Sequence, residues 1–244
     1  MKPNLFLLHF AGGNRYSFNF LNHSLRQHFN LIPLELPGRG MRLSEPFCSN
    51  MEEAANDLLD QILLINQDRP YYIFGHSLGS MLGLLVTQKL EILGKPPIYL
   101  ITSGNCGPGL KGKKYYRNLY KLPDSQFIDC LKLMGGLPEA VFTNTELMNF
   151  FLPIIKADFR LLSETQPKYQ ILDTPIYALM GDEEEMVGQI HNWSNYTNTF
   201  FDCTVFSGKH FFIYDHPTKI AQIFKYLKSL DYSKIKKIKS PVNS

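Results

Sequence analysis

The chain has 244 residues, 44% of them hydrophobic, which is enough for one large α/β domain or two small ones with a buried core. Its formal net charge of +3 and the lack of a basic stretch interleaved with aromatic residues argue against nucleic-acid binding. No apolar run is long enough to span a bilayer, and we see no signal-peptide pattern before the first strand pattern. The four cysteines are scattered along the chain. We therefore expect a cytoplasmic protein with free thiols and no membrane contact.

Strand and helix patterns alternate along most of the chain. Short apolar runs predict strands at residues 5–9, 31–35, 71–74, 97–103, 174–180 and 201–206. Apolar residues at helical spacing predict helices at residues 17–29, 50–65, 81–90, 125–133, 146–163, 187–196 and 216–230. This alternation predicts the α/β class, with a mostly parallel sheet covered by helices on both faces.

Single residues refine several of these elements. Pro33 favours an edge position or a bulge in the second strand, because proline has no amide to donate to a neighbour. Ser17 is expected to cap the first helix, and either Ser49 or Asn50 the second. Pro217 occupies a favoured first-turn position of the last helix.

Residues 110–170 contain helical patterns and no obvious strand, which predicts a helical lid inserted between two strands. No linker or internal repeat divides the chain, so residues 1–230 are expected to form a single domain, and we expect a monomer. Residues 231–244 are rich in Lys and Ser and offer little to bury, which predicts a basic disordered tail.

Residues 75–79 (Gly-His-Ser-Leu-Gly) lie between a strand pattern and a helix pattern. Such a turn exposes a serine hydroxyl above the sheet, here Ser77, and directs the amide of Leu78 toward an incoming carbonyl oxygen. Gly75 and Gly79 suit a turn in which a Cβ atom would be crowded. The motif alone is short, but its strand–turn–helix context favours a nucleophilic serine.

A serine nucleophile needs a base and an acid that orients the base. In an α/β fold of this kind the chain order is serine, acid, histidine. His210 follows the last predicted strand and satisfies that order, whereas His191 lies within a predicted helix and His216 at a helix start. His210 is therefore the candidate base.

The loop after the fifth strand carries four consecutive carboxylates at residues 182–185, and from the residues alone any of them could orient His210. Residues 11–13 (Ala-Gly-Gly) form a small turn after the first strand. The amide of Ala11 is a candidate second donor for an oxyanion hole, and an ordinary Gly-Gly turn is the alternative.

Taken together, these motifs resemble type II thioesterases of non-ribosomal peptide and polyketide biosynthesis, a branch of the α/β-hydrolase superfamily. The matching stretches are residues 10–13, 36–42 (Leu-Pro-Gly-Arg-Gly-Met-Arg), 74–79, 135–138 (Gly-Gly-Leu-Pro), 153–159 (Pro-Ile-Ile-Lys-Ala-Asp-Phe) and 208–212 (Gly-Lys-His-Phe-Phe). The family more often has Met at Leu78 and Arg at Lys156. The similarity covers nearly the whole chain up to about residue 230.

The acid loop departs from the family pattern Gly-Asp-x-Asp-Pro, in which the second Asp is catalytic. Glu184 occupies that position, and Glu185 stands where Pro is usual. The resemblance favours Glu184 as the acid, with Asp182 as the alternative. Asn105 occupies the place where related integrated thioesterase domains carry their acid, and it is not a carboxylate.

The resemblance implies hydrolysis of acyl groups from the phosphopantetheine thiol of acyl or peptidyl carrier proteins, for editing or release. It implies Ser77 as nucleophile, His210 as base, Ala11 and Leu78 as oxyanion donors, and no cofactor or metal. The alternatives are an acyl-CoA thioesterase, a carboxylesterase, and a non-catalytic interaction protein with the same fold.

Apolar lid residues are expected to shape acyl specificity, although most of them suit packing equally well. They are Phe127, Leu131, Met134, Leu137, Phe142, Met148, Phe151, Leu152 and Phe159. Because carrier proteins are usually acidic, four basic residues could contribute to docking, and a solvated basic loop is the alternative. They are Lys111, Lys113, Lys114 and Arg117.

Overall fold

The computed structural model describes residues 2–110, 118–134, 139–163 and 167–230. Several predictions lie outside these ranges: the lid motif at residues 135–138, which includes Leu137, the four basic docking candidates, and the tail at residues 231–244. Within the described ranges, no helix is both long and apolar enough to cross a membrane.

Six strands form one parallel sheet in the order β2-β1-β3-β4-β5-β6. The strands are β1 Asn4–Leu8, β2 Asn30–Leu34, β3 Tyr71–His76, β4 Leu100–Ser103, β5 Ile176–Gly181 and β6 Phe201–Phe206. Pro33 of β2 pairs with Leu7 of β1, and the edge position of β2 is confirmed. A parallel sheet places the carboxyl ends of all six strands at one edge, where sites of open α/β sheets are found.

Helices cover both faces of the sheet. The α-helices are α1 Asn22–Leu25, α2 Met51–Asn66, α3 Leu78–Ile92, α4 Asp124–Met134, α5 Glu139–Thr143, α6 Thr145–Ser163 and α7 Pro217–Ser229. Short 3-10 helices are Asn19–Leu21, Gly40–Arg42, Leu119–Lys121, Val187–Tyr196 and Phe212–Tyr214.

The sheet has a hydrophobic core on each side, because successive strand residues point to opposite faces. Phe6 and Leu8 of β1 belong to the core that includes buried residues of α2 and α3. Leu5 and Leu7 of the same strand belong to the core with α1 and α7. The central strands β1, β3, β4 and β5 are buried on both faces and rich in apolar residues, and the α/β class predicted from the sequence is confirmed.

The helical insertion lies in the chain between β4 and β5, as predicted, and has a core of its own. Its buried members are Leu119, Phe127, Leu131, Val141, Met148, Leu152, Ile155 and Phe159. Met134, Phe142 and Phe151 pack against this cluster while partly exposed. Three of the buried members, Leu119, Val141 and Ile155, were not among the expected lid residues.

The predicted helix at residues 17–29 is wrong in extent. Only the 3-10 helix Asn19–Leu21 and the single-turn helix Asn22–Leu25 form there. Ser17 does not cap them, because its Oγ atom accepts from the amide of Asn14 at 2.9 Å in a preceding turn. The side chain that would cap the helix is therefore used one turn earlier.

Other element ends are decided by hydrogen bonds of single residues. Asn50, rather than Ser49, caps α2, and its side chain accepts from the amide of Glu53 at 2.9 Å. Pro217 is the first residue of α7, as predicted. The helix expected at residues 187–196 forms as a 3-10 helix.

Candidate active site

Ser77 lies in a strained turn between β3 and α3. Its backbone has φ 56° and ψ −111°, an unfavourable conformation for a residue with a Cβ atom, and such strain costs about 1 to 3 kcal/mol. A Cβ atom on Gly75 would lie 2.0 Å from the carbonyl oxygen of Gly79, and one on Gly79 would lie 2.1 Å from that of Leu8. Both glycines are thus required by close backbone approach, and the turn leaves Ser77 at the carboxyl end of β3.

Ser77 and Ser80 connect this turn to Ser103 of the neighbouring strand β4. The Ser77 amide donates to the carbonyl oxygen of Ser103 at 2.7 Å. The buried hydroxyl of Ser80 lies 2.8 Å from the Gly75 carbonyl oxygen and 2.9 Å from that of Ser103, and it accepts from the Ser103 amide at 2.9 Å. Ser80 was not predicted, and its signal in the sequence is a hydroxyl residue within an apolar helix.

His210 and Glu184 form a close pair between the loops that follow β6 and β5. The Nδ1 atom of His210 lies 2.7 Å from Oε2 of Glu184, and the two side chains are 27% and 10% exposed. The other oxygen of Glu184 accepts from the amide of Gly181 at 2.9 Å. Both carboxylate oxygens are therefore engaged, and the ring orientation of His210 is determined by Glu184.

Asp182 has a different partner. Its Oδ1 atom accepts from the amide of Gly208 at 2.8 Å, which joins the two loops through the backbone. The loops approach so closely that a Cβ atom on Gly181 would lie 2.3 Å from the Gly208 carbonyl oxygen. The structure thus brings Glu184, and not Asp182, to His210.

The imidazole of His210 reaches the strand ends beside Ser77. Its ring centroid is 4.9 Å from that of His76, the residue preceding Ser77, and its Cε1 atom would lie 3.0 Å from a Cβ atom on Gly104. Burial, reinforced by the nearby His210, lowers the pKa of His76 well below its ordinary value. His76 is therefore neutral and places no second positive charge beside the candidate base.

Two backbone amides are available for a developing oxyanion. Leu78 is the first residue of α3, so its amide has no acceptor within the helix and lies at the positive end of the helix dipole. In the turn after β1, the amide of Gly13 donates to the carbonyl of Phe10 at 2.9 Å and that of Gly12 to Asp158 at 2.7 Å. The amide of Ala11, which precedes Gly12, makes no hydrogen bond within the described ranges. Ala11 itself packs against both the sheet core and the lid cluster.

Asn105 lies next to the nucleophile turn, and its side chain makes hydrogen bonds to backbone groups. Its Nδ2 atom donates to the Ser77 carbonyl oxygen at 3.4 Å, and its Oδ1 atom accepts from the Gly107 amide at 2.9 Å. The side chain of Trp193 donates to the Asn105 carbonyl at 2.6 Å. These contacts order the loop after β4.

A buried ion pair between Arg39 and Asp158 was not predicted as part of the site. The guanidinium donates to both carboxylate oxygens, at 2.6 and 2.8 Å, and neither side chain is more than 4% exposed. The sequence signal was present in two motifs of the resemblance, residues 36–42 and 153–159, but nothing in their spacing indicated that they meet.

Comparisons with known proteins show the family of the chain. The family model described as "Thioesterase domain" matches residues 3–227. The gramicidin S biosynthesis protein GrsT of Aneurinibacillus migulanus is 29% identical over 219 residues, covering 88% of this chain and 84% of its own. The crystal structure of ClbQ from the colibactin NRPS/PKS pathway is 31% identical with a TM-score of 0.84, covering 93% of this chain and 99% of that one.

The type II thioesterase BorB from the borrelidin biosynthetic cluster has a structure that is 27% identical with a TM-score of 0.81, and 93% of each chain is covered. The family match extends over all six strands and the lid helices. The chain therefore belongs to the thioesterase domain family, as a type II thioesterase with the α/β-hydrolase fold.

Proposed function

We propose that the protein hydrolyses acyl groups from the phosphopantetheine thiol of carrier proteins, with Ser77, His210 and Glu184 as its catalytic triad. The observation that carries this proposal is the 2.7 Å contact between His210 and Glu184 beside the Ser77 turn. Carrier proteins as substrates are supported by the similarity to proteins of NRPS/PKS pathways.

The first half of the reaction transfers the acyl group to the enzyme. His210 Nε2 takes the hydroxyl proton as Ser77 Oγ forms a bond to the thioester carbonyl carbon. The carbonyl oxygen becomes an oxyanion, which the amides of Ala11 and Leu78 stabilise by hydrogen bonds. The C–S bond then breaks, and the thiol leaves with the proton from His210.

The second half releases the acid. His210 takes a proton from water as the water oxygen attacks the acyl-enzyme carbonyl. The C–O bond to Ser77 breaks, and the proton returns to the serine oxygen. Throughout, Glu184 accepts a hydrogen bond from Nδ1 of His210, so that Nε2 is the atom that exchanges protons.

Substrate class is tested by turnover of one acyl group presented on three carriers: a phosphopantetheinylated carrier protein, coenzyme A and p-nitrophenol. We expect kcat/KM to be highest for the carrier protein. Highest turnover on coenzyme A or on the p-nitrophenyl ester would replace the proposal with an acyl-CoA thioesterase or a carboxylesterase.

Chemistry is tested separately with a fluorophosphonate probe. The wild-type protein should be labelled and Ser77→Ala should not, with His210→Ala labelled far more slowly. Labelling that survives in Ser77→Ala would contradict the assignment of the nucleophile.

A further inference from the structure

We propose that Asp158 is a positioning residue for the oxyanion hole, through which lid helix α6 sets the place of the Ala11 amide, and that Arg39 keeps the buried charge of Asp158 paired. The proposal rests on the function proposed above and assigns a role to residues that contact neither Ser77 nor His210 in the described contacts. Asp158 acts on the turn after β1, and Arg39 pairs its buried charge, so a neutral side chain with an acceptor oxygen at position 158 should not need Arg39.

The first observation is a direct bond from the lid to the oxyanion turn. Oδ2 of Asp158 accepts from the amide of Gly12 at 2.7 Å, one residue after Ala11. The peptide group between Gly12 and Ala11 is rigid and planar, so the orientation of the Gly12 amide limits the conformations open to Ala11. A hydrogen bond to a charged acceptor is also among the stronger kinds in proteins.

The second observation is steric. Gly12 has φ +78°, and a Cβ atom there would lie 2.6 Å from Cγ1 of Ile155. Ile155 and Asp158 are three residues apart and therefore share one face of α6. One helix face thus contacts the turn twice, by packing and by a hydrogen bond, and a shift of α6 must move the turn.

The third observation is the placement of Arg39. Its fork donates to both oxygens of Asp158, and its Nη1 atom lies 3.4 Å from the carbonyl oxygen of Gly13. Burying two charges is expensive, and apolar residues of similar size often hold elements together at least as well. The pair is therefore better explained by orientation of the turn than by attachment of the lid alone.

Helix α6 has a second ion pair that serves as a comparison. Lys156 lies 2.5 Å from Asp124 and donates to the Leu122 carbonyl at 3.0 Å, which joins α6 to the start of α4 inside the lid. This pair has no described contact with residues 11–13. Because Asp124 is 67% exposed, Lys156→Met serves as a control for a disturbance of α6 away from the oxyanion turn.

The test compares two double variants, neither of which leaves a buried charge unpaired. Arg39→Met with Asp158→Asn keeps an oxygen that can accept from the Gly12 amide, whereas Arg39→Met with Asp158→Leu removes it. We expect the first to retain kcat within about threefold and the second to lose about 10- to 100-fold, with KM changed less than about threefold. Lys156→Met should keep kcat within about threefold.

A second readout isolates the oxyanion hole. An alkyl trifluoromethyl ketone forms a tetrahedral adduct with the serine. Its Ki should therefore rise in the leucine variant by the same factor as kcat/KM falls. In Lys156→Met the Ki should be unchanged. Thermal melts establish that each variant is folded, and Arg39→Met with Asp158→Ala replaces the leucine variant if that one does not fold.

The possible failures are distinguishable. Wild-type turnover that does not depend on Ser77 would overturn the proposed function itself. Ser77-dependent turnover together with a folded leucine or alanine variant that keeps kcat and Ki within threefold would overturn only the positioning role. Equal losses in both double variants would also overturn it, since the retained acceptor would then make no difference.

Discussion

Glu184→Gln removes a charge and one hydrogen-bond acceptor from a site where two donors meet. In the wild-type protein, Oε1 accepts from the Gly181 amide at 2.9 Å, and Oε2 lies 2.7 Å from His210 Nδ1. A carboxamide has one oxygen and one NH2 group, so it cannot accept from both. The side chain is only 10% exposed, which leaves little room for water to compensate.

The favourable orientation of the glutamine places its oxygen on Gly181 and its NH2 group on Nδ1 of His210. Nδ1 must then be an acceptor, the ring proton moves to Nε2, and Nε2 can no longer take the proton of Ser77. The opposite orientation sets two donors against each other at Gly181. A base held in the wrong tautomer loses a factor on the order of 10³ to 10⁴ in kcat, or about 4 to 5.5 kcal/mol.

Asp182→Asn is the matched control. Asp182 uses one oxygen to accept from the Gly208 amide, and the asparagine oxygen can keep this bond. We expect kcat within about threefold of wild type. The assay is steady-state thiol release from an acyl-pantetheine thioester, with circular dichroism to verify that both variants are folded.

The reasoning would be refuted if Glu184→Gln kept more than a tenth of wild-type kcat. A larger loss in Asp182→Asn than in Glu184→Gln would instead name Asp182 as the acid. Equal and small losses would mean that no carboxylate of this loop orients His210.

Two further predictions concern stability. His9 is buried, and burial together with Arg39 lowers its pKa from 6.5 to about 4. Because the unfolded state binds the extra proton first, stability present above pH 6.5 is lost as the pH falls toward 4, by about 3 kcal/mol in total. Urea midpoints measured at pH 7.5 and pH 5 should show this loss of stability. In His9→Asn the loss should be smaller, and the part caused by the lowered pKa of His76 should remain. A pH dependence of stability in His9→Asn equal to that of wild type would contradict the assignment to His9. Asn50→Ala removes the α2 cap and should lower the free energy of unfolding by about 1 kcal/mol with kcat unchanged, whereas an equally stable variant would show that the cap contributes nothing.

The sequence by itself determined the nucleophile turn and the order of the elements. The strand, turn and helix around Ser77 are adjacent in the chain, and the glycines at 75 and 79 are required by contacts that the turn makes with itself and with β1. Short apolar runs likewise located all six strands, of which the four central ones are buried on both faces and the edge strands β2 and β6 only in part. Such signals are local, so a reading of neighbouring residues is enough to find them.

Local signals were insufficient where a side chain had a choice of partners. The sequence predicted a helix from Ser17, but the Ser17 hydroxyl bonds to Asn14 instead, and the helix is reduced to a single turn. A helix cap by Ser17 and its bond to Asn14 are both short-range and similar in strength, so helix propensity did not tell which of them forms.

The tertiary structure alone decided which carboxylate meets His210 and which residues surround the oxyanion turn. Four acidic residues follow β5, and only the close approach of that loop to Gly208 directs Glu184 inward and Asp182 to the backbone. Arg39 and Asp158 are 119 residues apart, and they meet because the lid helix packs over the strand ends. Side-chain direction at such sites depends on how separate elements pack, and no pattern of neighbouring residues contains that information.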